Sequence, residues 1–145
     1  MSGILVGVDG SGHSERALEW AAKEAAIRHT PLTVLAVHQA VHGWTGTLYF
    51  PDDEAQVQKL AEAARAEADK VLAGLGDSRP ESVTVRAVHG YPAEEIINAG
   101  ADAEMIVLGS RGTGGWGRQL IGSVAAEVSH HATVPVLIVP SGRGR

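Results

Sequence analysis

The sequence predicts an α/β protein built on an open, parallel sheet of five strands with helices on both faces. Short apolar runs rich in β-branched residues alternate along the chain with longer stretches whose apolar residues recur every three or four positions. The runs are apolar nearly throughout, which is typical of parallel strands buried on both faces. Such sheets bind ligands at the carboxyl ends of the strands, where the strand order reverses. We therefore expect a binding site in the loops after the first and fourth strands, Asp9–Ser14 and Gly109–Ile121.

The first half of the chain begins with two strands that flank a helix. Ile4–Val8 is the first strand, and a helix with one apolar stripe runs from Ser14, whose side chain can cap it, to His29. Leu32–His38 is the second strand. Gln39–Pro51 has no clean period and predicts a long irregular connection of the kind that often covers a site.

The rest of the chain continues the alternation of helices and strands. A long helix is predicted from Asp52 or Asp53 to Leu75, with Gly76 at the position after a helix end. Its charged residues, Glu67 among them, are interpreted as a solvated face. Polar residues alternate in the third strand, which indicates an edge of the sheet. The remaining elements are strand Val83–Val88, helix Pro92–Ala99, strand Met105–Leu108, a glycine-rich segment Gly109–Gly117, helix Gly122–Ala132, and strand Val134–Val139 with Pro135 inside it.

The composition is that of an ordinary globular domain. The 145 residues (15.1 kDa) are 44% hydrophobic and 20% charged, which suits one domain spanning residues 1–145. The absence of cysteine excludes disulfides, thiolate-bound metals and a thiol nucleophile. A formal charge of −5 argues against nucleic acid as a partner, and no apolar run approaches the roughly 20 residues of a membrane helix. Because no signal-peptide pattern opens the sequence, we expect a cytoplasmic protein.

The glycine-rich segment from Gly109 to Ser123 is the main functional signal. Glycines allow backbone N–H groups to surround an anion, and Gly122-Ser123 is expected at a helix N-terminus, where free N–H groups favour phosphate. Arg111 or Arg118 can add positive charge. The alternative is a loop whose glycines serve turns alone. The segment also spells G-x-G-x-x-G and G-x-x-x-x-G, but the surroundings that a dinucleotide site or a P-loop requires are missing.

The spacing Gly109-x2-Gly112-x9-Gly122-Ser123 resembles the nucleotide-binding signature of the universal stress protein family, in its ATP-binding branch. The first strand and turn, Val6 to Ser11, and the closing strand are similar to the family's as well, so the resemblance covers the whole chain. It implies a Rossmann-like sheet, as in the adenine nucleotide alpha hydrolases, with strand order 3-2-1-4-5. It also implies that ATP binds across the gap between the first and fourth strands.

The resemblance further implies a set of nucleotide-binding residues. Adenosine is expected at the ends of the first and second strands, and the ribose and phosphates along the glycine-rich segment. Asp9 would be repelled by a triphosphate, so we expect it at the base or ribose. Less favoured is contact between Asp9 and a bridging Mg²⁺. The alternative without a ligand is that Asp9 only closes the turn after the first strand. The implied set is Gly7, Val8, Asp9, Val37, Leu108, Gly109, Arg111, Gly112, Gly122, Ser123 and Val124.

A homodimer through the last strand, Val134–Val139, is also implied by the resemblance. The sequence supports it because an exposed apolar edge strand is usually covered. Pro135 has no N–H donor, so we expect pairing along only part of that edge.

Histidines near the expected site raise the question of a metal. His38 and His89 end the second and third strands, and His42 is close to the first of them. The spacing supplies no carboxylate or third ligand, so these histidines are interpreted as polar loop residues, and no metal site is predicted.

No catalytic residues are predicted, because no serine has a suitable histidine base and no carboxylate pair emerges near the phosphates. Together with this absence, the resemblance implies a cytoplasmic, ATP-binding regulatory protein of the stress response that acts as a homodimer, with protein partners that the sequence does not identify. Two alternatives stay open: a slow ATPase or phosphotransferase, and a nucleotide-free dimeric interaction module.

Overall fold

Strands and helices alternate along the chain in the structure, a computed structural model. It describes residues 3–10, 14–44, 46–48, 50, 52–110 and 118–140, with backbone only for residues 42 and 118–122. The described elements are, in order, β1 (Ile4–Val8), α1 (Glu15–Arg28), β2 (Leu32–Gln39), β3 (Val41–Gly43), β4 (Gly46–Leu48), α2 (Asp53–Ala73), a 3-10 helix (Gly76–Ser78), β5 (Val83–Gly90), α3 (Pro92–Ala99), β6 (Met105–Gly109), α4 (Arg118–His131) and β7 (Val136–Val139).

Five of the described strands form one parallel sheet in the order β5-β2-β1-β6-β7. When the short strands β3 and β4 are left out, this is the order 3-2-1-4-5 that the resemblance implied. The predicted fold class is therefore confirmed. β5, whose polar residues alternate, lies at one edge as predicted, and β7 lies at the other.

The sheet is buried on both faces by helices. α1 and α2 cover one face, and α3 and α4 cover the other. All five residues of β1 are buried, which explains why this central strand has no polar position. None of the described helices is both long and apolar enough to cross a lipid bilayer. The largest fully buried side chains are Ile4, Leu5, Leu18, Leu32, Leu35, Ile106, Val6, Val34, Val107 and Val128.

The connection after β2 is more regular than the sequence predicts. β3 and β4 pair antiparallel from Val41–Leu48 to Gly43–Gly46. The Thr47 Oγ1 lies 3.0 Å from the hydroxyl oxygen of Tyr91, which ties this hairpin to the residue before α3. The prediction of an irregular Gln39–Pro51 segment was therefore wrong for β3 and β4, because strands of three residues are too short to show a period in the sequence.

Two element ends also differ from the prediction. α2 ends with Gly74 at its C-cap, and Gly76, with φ of +56°, begins the 3-10 helix instead of following α2 directly. β7 begins at Val136, so Pro135 precedes the strand rather than lying inside it. The carbonyl of Pro135 still accepts a hydrogen bond from the Ile106 N–H, which places this residue against β6.

Candidate functional site

The two ladders of the central strand β1 end at different residues. Toward β2, pairing continues to Val8–Ala36, but toward β6 it stops at Val6–Val107. β6 itself stays paired with β7 as far as Gly109–Val139. The carboxyl ends of β1 and β6 therefore separate where the strand order reverses, which is where open α/β sheets bind ligands. We call the space between Gly7-Val8 and Leu108-Gly109 the β1–β6 crevice.

The floor of the β1–β6 crevice is apolar and tightly packed. A Cβ on Gly7 would lie 2.8 Å from Leu108 Cδ2 and 3.2 Å from Ile96 Cδ1, so only glycine allows both side chains to pack directly on the strand. Leu108 and Ile96 are buried. Gly7, which the resemblance places among the ligand-binding residues, thus has a packing role toward α3. A flat apolar group such as a purine would meet a hydrophobic surface here.

The end of β1 offers its backbone to the crevice, and one carboxylate follows directly after the strand. The side chain of Val8 is buried in the core under α1 and α2, so Val8 faces a ligand only through its backbone. Asp9 follows at the strand end and is half-buried. Gly10 has φ of +75°, a conformation that favours glycine, and a Cβ there would lie 3.3 Å from the Ala63 Cβ of α2. This turn therefore holds the Asp9 segment against α2.

A second, buried carboxylate lies close enough to Asp9 to interact with its charge. Glu67 of α2 is 7% exposed, its Oε2 accepts a hydrogen bond of 2.9 Å from the Ser14 hydroxyl, and its Oε1 has no partner among the described residues. Burial raises the pKa of Glu67, and the negative charges of Asp9 and Glu15 raise it further. Asp9 and Ser14 thus lie near a carboxylate that is costly to keep charged.

Two sequence predictions about this region were wrong. The Ser14 side chain makes no capping hydrogen bond to α1, because its hydroxyl is used by Glu67. Glu67 does not lie on a solvated face of α2. The signal was available, since Glu67 stands three residues after Ala64 and four before Val71, on the apolar stripe that packs on the sheet.

A cleft of about 590 Å³ lies between α3 and α4, near the carboxyl end of β2. Ser123 and Val124 of the predicted set line it, and Val37 packs into the core on the same face of the sheet. Glu94 and Glu127 also line the cleft. Their charges would repel phosphate, so this cleft suits groups that donate hydrogen bonds, such as an exocyclic amine or a ribose hydroxyl.

α4 begins one turn earlier than the sequence predicts. It starts at Arg118, which places Gly122 and Ser123 in the second turn. Since only the first four N–H groups of a helix lack intrahelical partners, Gly122-Ser123 does not supply free backbone donors, and the prediction of a helix N-terminus there was wrong. Arg118, Gln119 and Leu120 all favour helix, which explains the earlier start. Ser123 still lines the cleft.

The described residues bring most of the predicted set to one face and one end of the sheet. Arg111 and Gly112, with the whole of residues 111–117, lie outside the described part of the chain. At the carboxyl edge of the sheet, on or beside its α3–α4 face, lie Gly7, Val37, Leu108, Gly109, Ser123 and Val124, with Asp9 at the end of β1.

Solved structures with this arrangement of strands and helices are known. A universal stress protein in complex with cAMP is 25% identical and matches with a TM-score of 0.67, covering 97% of this chain and 98% of that one. A universal stress protein from Archaeoglobus fulgidus in complex with dAMP is also 25% identical, with a TM-score of 0.65 over 96% and 98% of the two chains. UspA from Lactobacillus plantarum matches with a TM-score of 0.69 at 25% identity, over 95% and 97%.

Sequence relatives agree with the structural ones. A universal stress protein of Mycolicibacterium smegmatis is 35% identical over 139 residues, which is 94% of this chain and 47% of the relative. One of Mycobacterium tuberculosis is 36% identical over 146 residues, covering 96% and 48%. The chain thus spans about half the length of these curated relatives. A family profile described as the universal stress protein family matches residues 1–140, and this chain therefore belongs to that family.

Proposed function

We propose that this chain binds an adenine nucleotide in the β1–β6 crevice and that ATP is its ligand in the cell. The observation that carries the proposal is the early end of the β1–β6 ladder above the apolar floor of Leu108 and Ile96. A purine on that floor would have the backbone of Gly7 and Val8 at one side and Leu108-Gly109 at the other. The cAMP and dAMP complexes of related universal stress proteins support the proposal, because adenine is common to both ligands.

The orientation of the nucleotide follows from charge. Glu94 and Glu127 make the α3–α4 cleft unfavourable for phosphates, so the base and ribose belong toward this side. Asp9 then accepts hydrogen bonds from the base or ribose. The phosphates extend toward the glycine-rich residues, where Arg111, Gly112 and the free N–H groups at the start of α4 would hold them, with Mg²⁺ entering only with ATP.

We infer a regulatory role rather than a catalytic one, in a cytoplasmic protein of the stress response. The sequence contains no recognisable catalytic set, and Glu67, the buried carboxylate near Asp9, accepts a hydrogen bond from the Ser14 hydroxyl. ATP occupancy would then act by ordering the protein rather than by turnover.

The first test is to identify what the purified protein carries. Acid extraction followed by liquid chromatography and mass spectrometry is expected to release about one adenine nucleotide per chain. Titration calorimetry of the stripped protein with Mg-ATP should then show one site. An empty extract with no heat on titration would overturn the proposal in favour of the nucleotide-free interaction module. An ADP share that grows with incubation time would favour the slow ATPase.

Ser123 tests the placement of the ligand. Ser123→Ala is expected to weaken nucleotide binding by about 2- to 10-fold, the effect of losing one hydrogen bond. Ser129→Ala, on the same helix but not among the residues that line the cleft, is the matched control and should bind as the wild type does. Equal affinities of all three proteins by calorimetry would show that the ligand does not reach α4.

We also propose a homodimer through the edge of β7. The carbonyls of Pro135 and Val139 face β6, since they accept hydrogen bonds from the N–H groups of Ile106 and Ser110. Backbone groups alternate in direction along a strand, so those of Val136 and Ile138 face outward. The N–H that Pro135 lacks would therefore face β6 and not the free edge of β7. The expectation that Pro135 limits pairing along that edge is not supported.

The dimer proposal predicts a position-specific effect of proline. Val136→Pro removes an outward N–H of β7 and is expected to convert dimers to monomers in sedimentation velocity. Val85→Pro is the matched control on the opposite edge, because the Ser82 carbonyl accepts from the Leu32 N–H and the groups of Val85 therefore face outward from β5. If both variants stay dimeric while folded by circular dichroism, the dimer does not form through β7.

A further inference from the structure

Three side chains at the carboxyl end of β2 and β5 point polar atoms at one another. His38 and His89 are paired in register on these adjacent strands, and their ring centroids are 5.3 Å apart. Asp53 is the first residue of α2, which packs over this face of the sheet. Its Oδ1 lies 3.2 Å from His38 Nε2, and its Oδ2 lies 3.6 Å from His89 Nε2.

The carboxylate of Asp53 is held in a defined orientation. Its Oδ2 accepts a hydrogen bond of 2.7 Å from the Phe50 backbone N–H, and the Asp53 N–H in turn donates to the Phe50 carbonyl. The hydrogen bond from Phe50 lowers the pKa of Asp53, and the interactions with His38 and His89 lower it further. A charged carboxylate thus faces two imidazole nitrogens at all but acidic pH.

The cluster is sheltered but reachable. The side chains of His38, His89 and Asp53 are 29%, 17% and 14% exposed. One possible ligand atom from each side chain lies within 4.8 Å of the other two. Among the described residues, this is the one group of three histidine or acidic side chains that lie so close together. The side chains therefore need to move little to contact a common centre, and each of them is partly exposed.

Two imidazoles and one carboxylate form a donor set of the kind that binds a transition-metal ion such as Zn²⁺. Zn²⁺ binds nitrogen and oxygen ligands at about 2.0–2.2 Å in a tetrahedron, which sets neighbouring ligands about 3.3 Å apart. Each histidine lies near one of the two Asp53 oxygens, at 3.2 and 3.6 Å, so small side-chain rotations would bring one oxygen and both nitrogens to that spacing. Ca²⁺ and Mg²⁺ prefer six or more oxygen ligands, which two imidazoles and one carboxylate do not provide.

We propose that His38, Asp53 and His89 bind a Zn²⁺ ion, with water in the fourth position. The ion would join the start of α2 to the ends of β2 and β5, and so clamp the chain between β2 and α2, which contains the β3–β4 hairpin, to the sheet. This site lies on the α1–α2 face, and it does not depend on nucleotide binding. Asp53 cannot be recognised in the sequence as a third ligand, because it reaches the histidines only through the packing of α2.

Zinc binding is measured on chelator-treated protein in the absence of nucleotide. Competition with a chromophoric chelator is expected to show one tight Zn²⁺ site per chain, and Co²⁺ is expected to give the visible absorption of a four-coordinate ion. Loss of a group that only hydrogen-bonds a metal ligand weakens metal binding about 10- to 100-fold. Loss of a ligand itself should weaken it more, so we expect a weakening of at least about 100-fold for each of Asp53→Asn, His38→Gln and His89→Gln. Saturating Zn²⁺ should raise the Tm of the wild type but not of these variants.

Controls separate this site from scattered surface histidines. His130→Gln on the exposed end of α4 should leave the affinity and the stoichiometry unchanged. His38→Gln and His89→Gln serve where Asp53→Asn fails to fold, because the latter alters the contact with Phe50. Wild-type binding no tighter than that of the three variants, or a loss in His130→Gln of similar size, would show that Asp53 and the histidines form hydrogen bonds only.

Discussion

Replacing Leu108 by alanine is expected to lower the free energy of unfolding by about 2–5 kcal/mol, as for other buried leucines. Gly7→Ala alone is expected to cost about 1–3 kcal/mol, because its Cβ would lie 2.8 Å from Leu108 Cδ2 and 3.2 Å from Ile96 Cδ1. In the Leu108→Ala background, the nearer obstacle is gone and the new methyl group fills part of the cavity. Gly7→Ala should therefore be neutral or stabilising there.

Urea unfolding of the four proteins in this cycle gives the coupling between the two positions. Leu18→Ala is the matched control, since Leu18 is buried in the core on the opposite face of the sheet. In that background, Gly7→Ala should keep its full cost. Additive effects of Gly7→Ala and Leu108→Ala would show that these residues do not meet beneath the crevice.

Glu67→Gln is expected to raise the free energy of unfolding at pH 8 by on the order of 1 kcal/mol, because the amide keeps the shape of the side chain and removes the charge that is costly to bury. The wild-type pKa is raised above its ordinary value of 4.5, by burial first and by Asp9 and Glu15 next. A raised acid pKa means that the folded state binds the proton more tightly than the unfolded state. The contribution of Glu67 to stability is therefore most favourable below pH 4.5 and decreases as the pH rises from 4.5 through the raised value.

The difference in the free energy of unfolding between Glu67→Gln and the wild type should consequently increase as the pH rises and decrease in acid. Chemical unfolding at a series of pH values measures it. Glu62→Gln, an exposed position on the same helix, is the matched control and should show no such dependence. A stability difference of constant size across the series would show that the charge of Glu67 is not what is costly.

The sequence was most informative where residues are buried on both sides. The apolar run of β1 and the stripe of α1 predicted both elements to within one residue, because burial leaves so few choices of side chain. The alternation of strands and helices also predicted where the crevice lies. In a parallel sheet of this kind the strand order reverses between the first and fourth long strands, here β1 and β6.

The sequence failed where a contact depends on long-range register. Nothing near His38 in the chain shows that His89 will lie beside it, or that the first turn of α2 will place Asp53 against both. Gly122 misled for a different reason. A glycine is a natural place to begin a helix in a sequence, but the preceding helix-favouring residues extend α4 to Arg118.

The short ladder between β1 and β6 has a consequence for how the molecule is made. It joins Ile4–Val6 to Met105–Val107, so the two walls of the crevice come from parts of the chain about a hundred residues apart. β2 can pair with β1, and β5 with β2, while the ribosome is still adding residues. The crevice, however, does not exist until β6 has emerged and paired with β1. A nucleotide bound in this crevice would therefore be held only after β6 has been synthesised and has paired with β1.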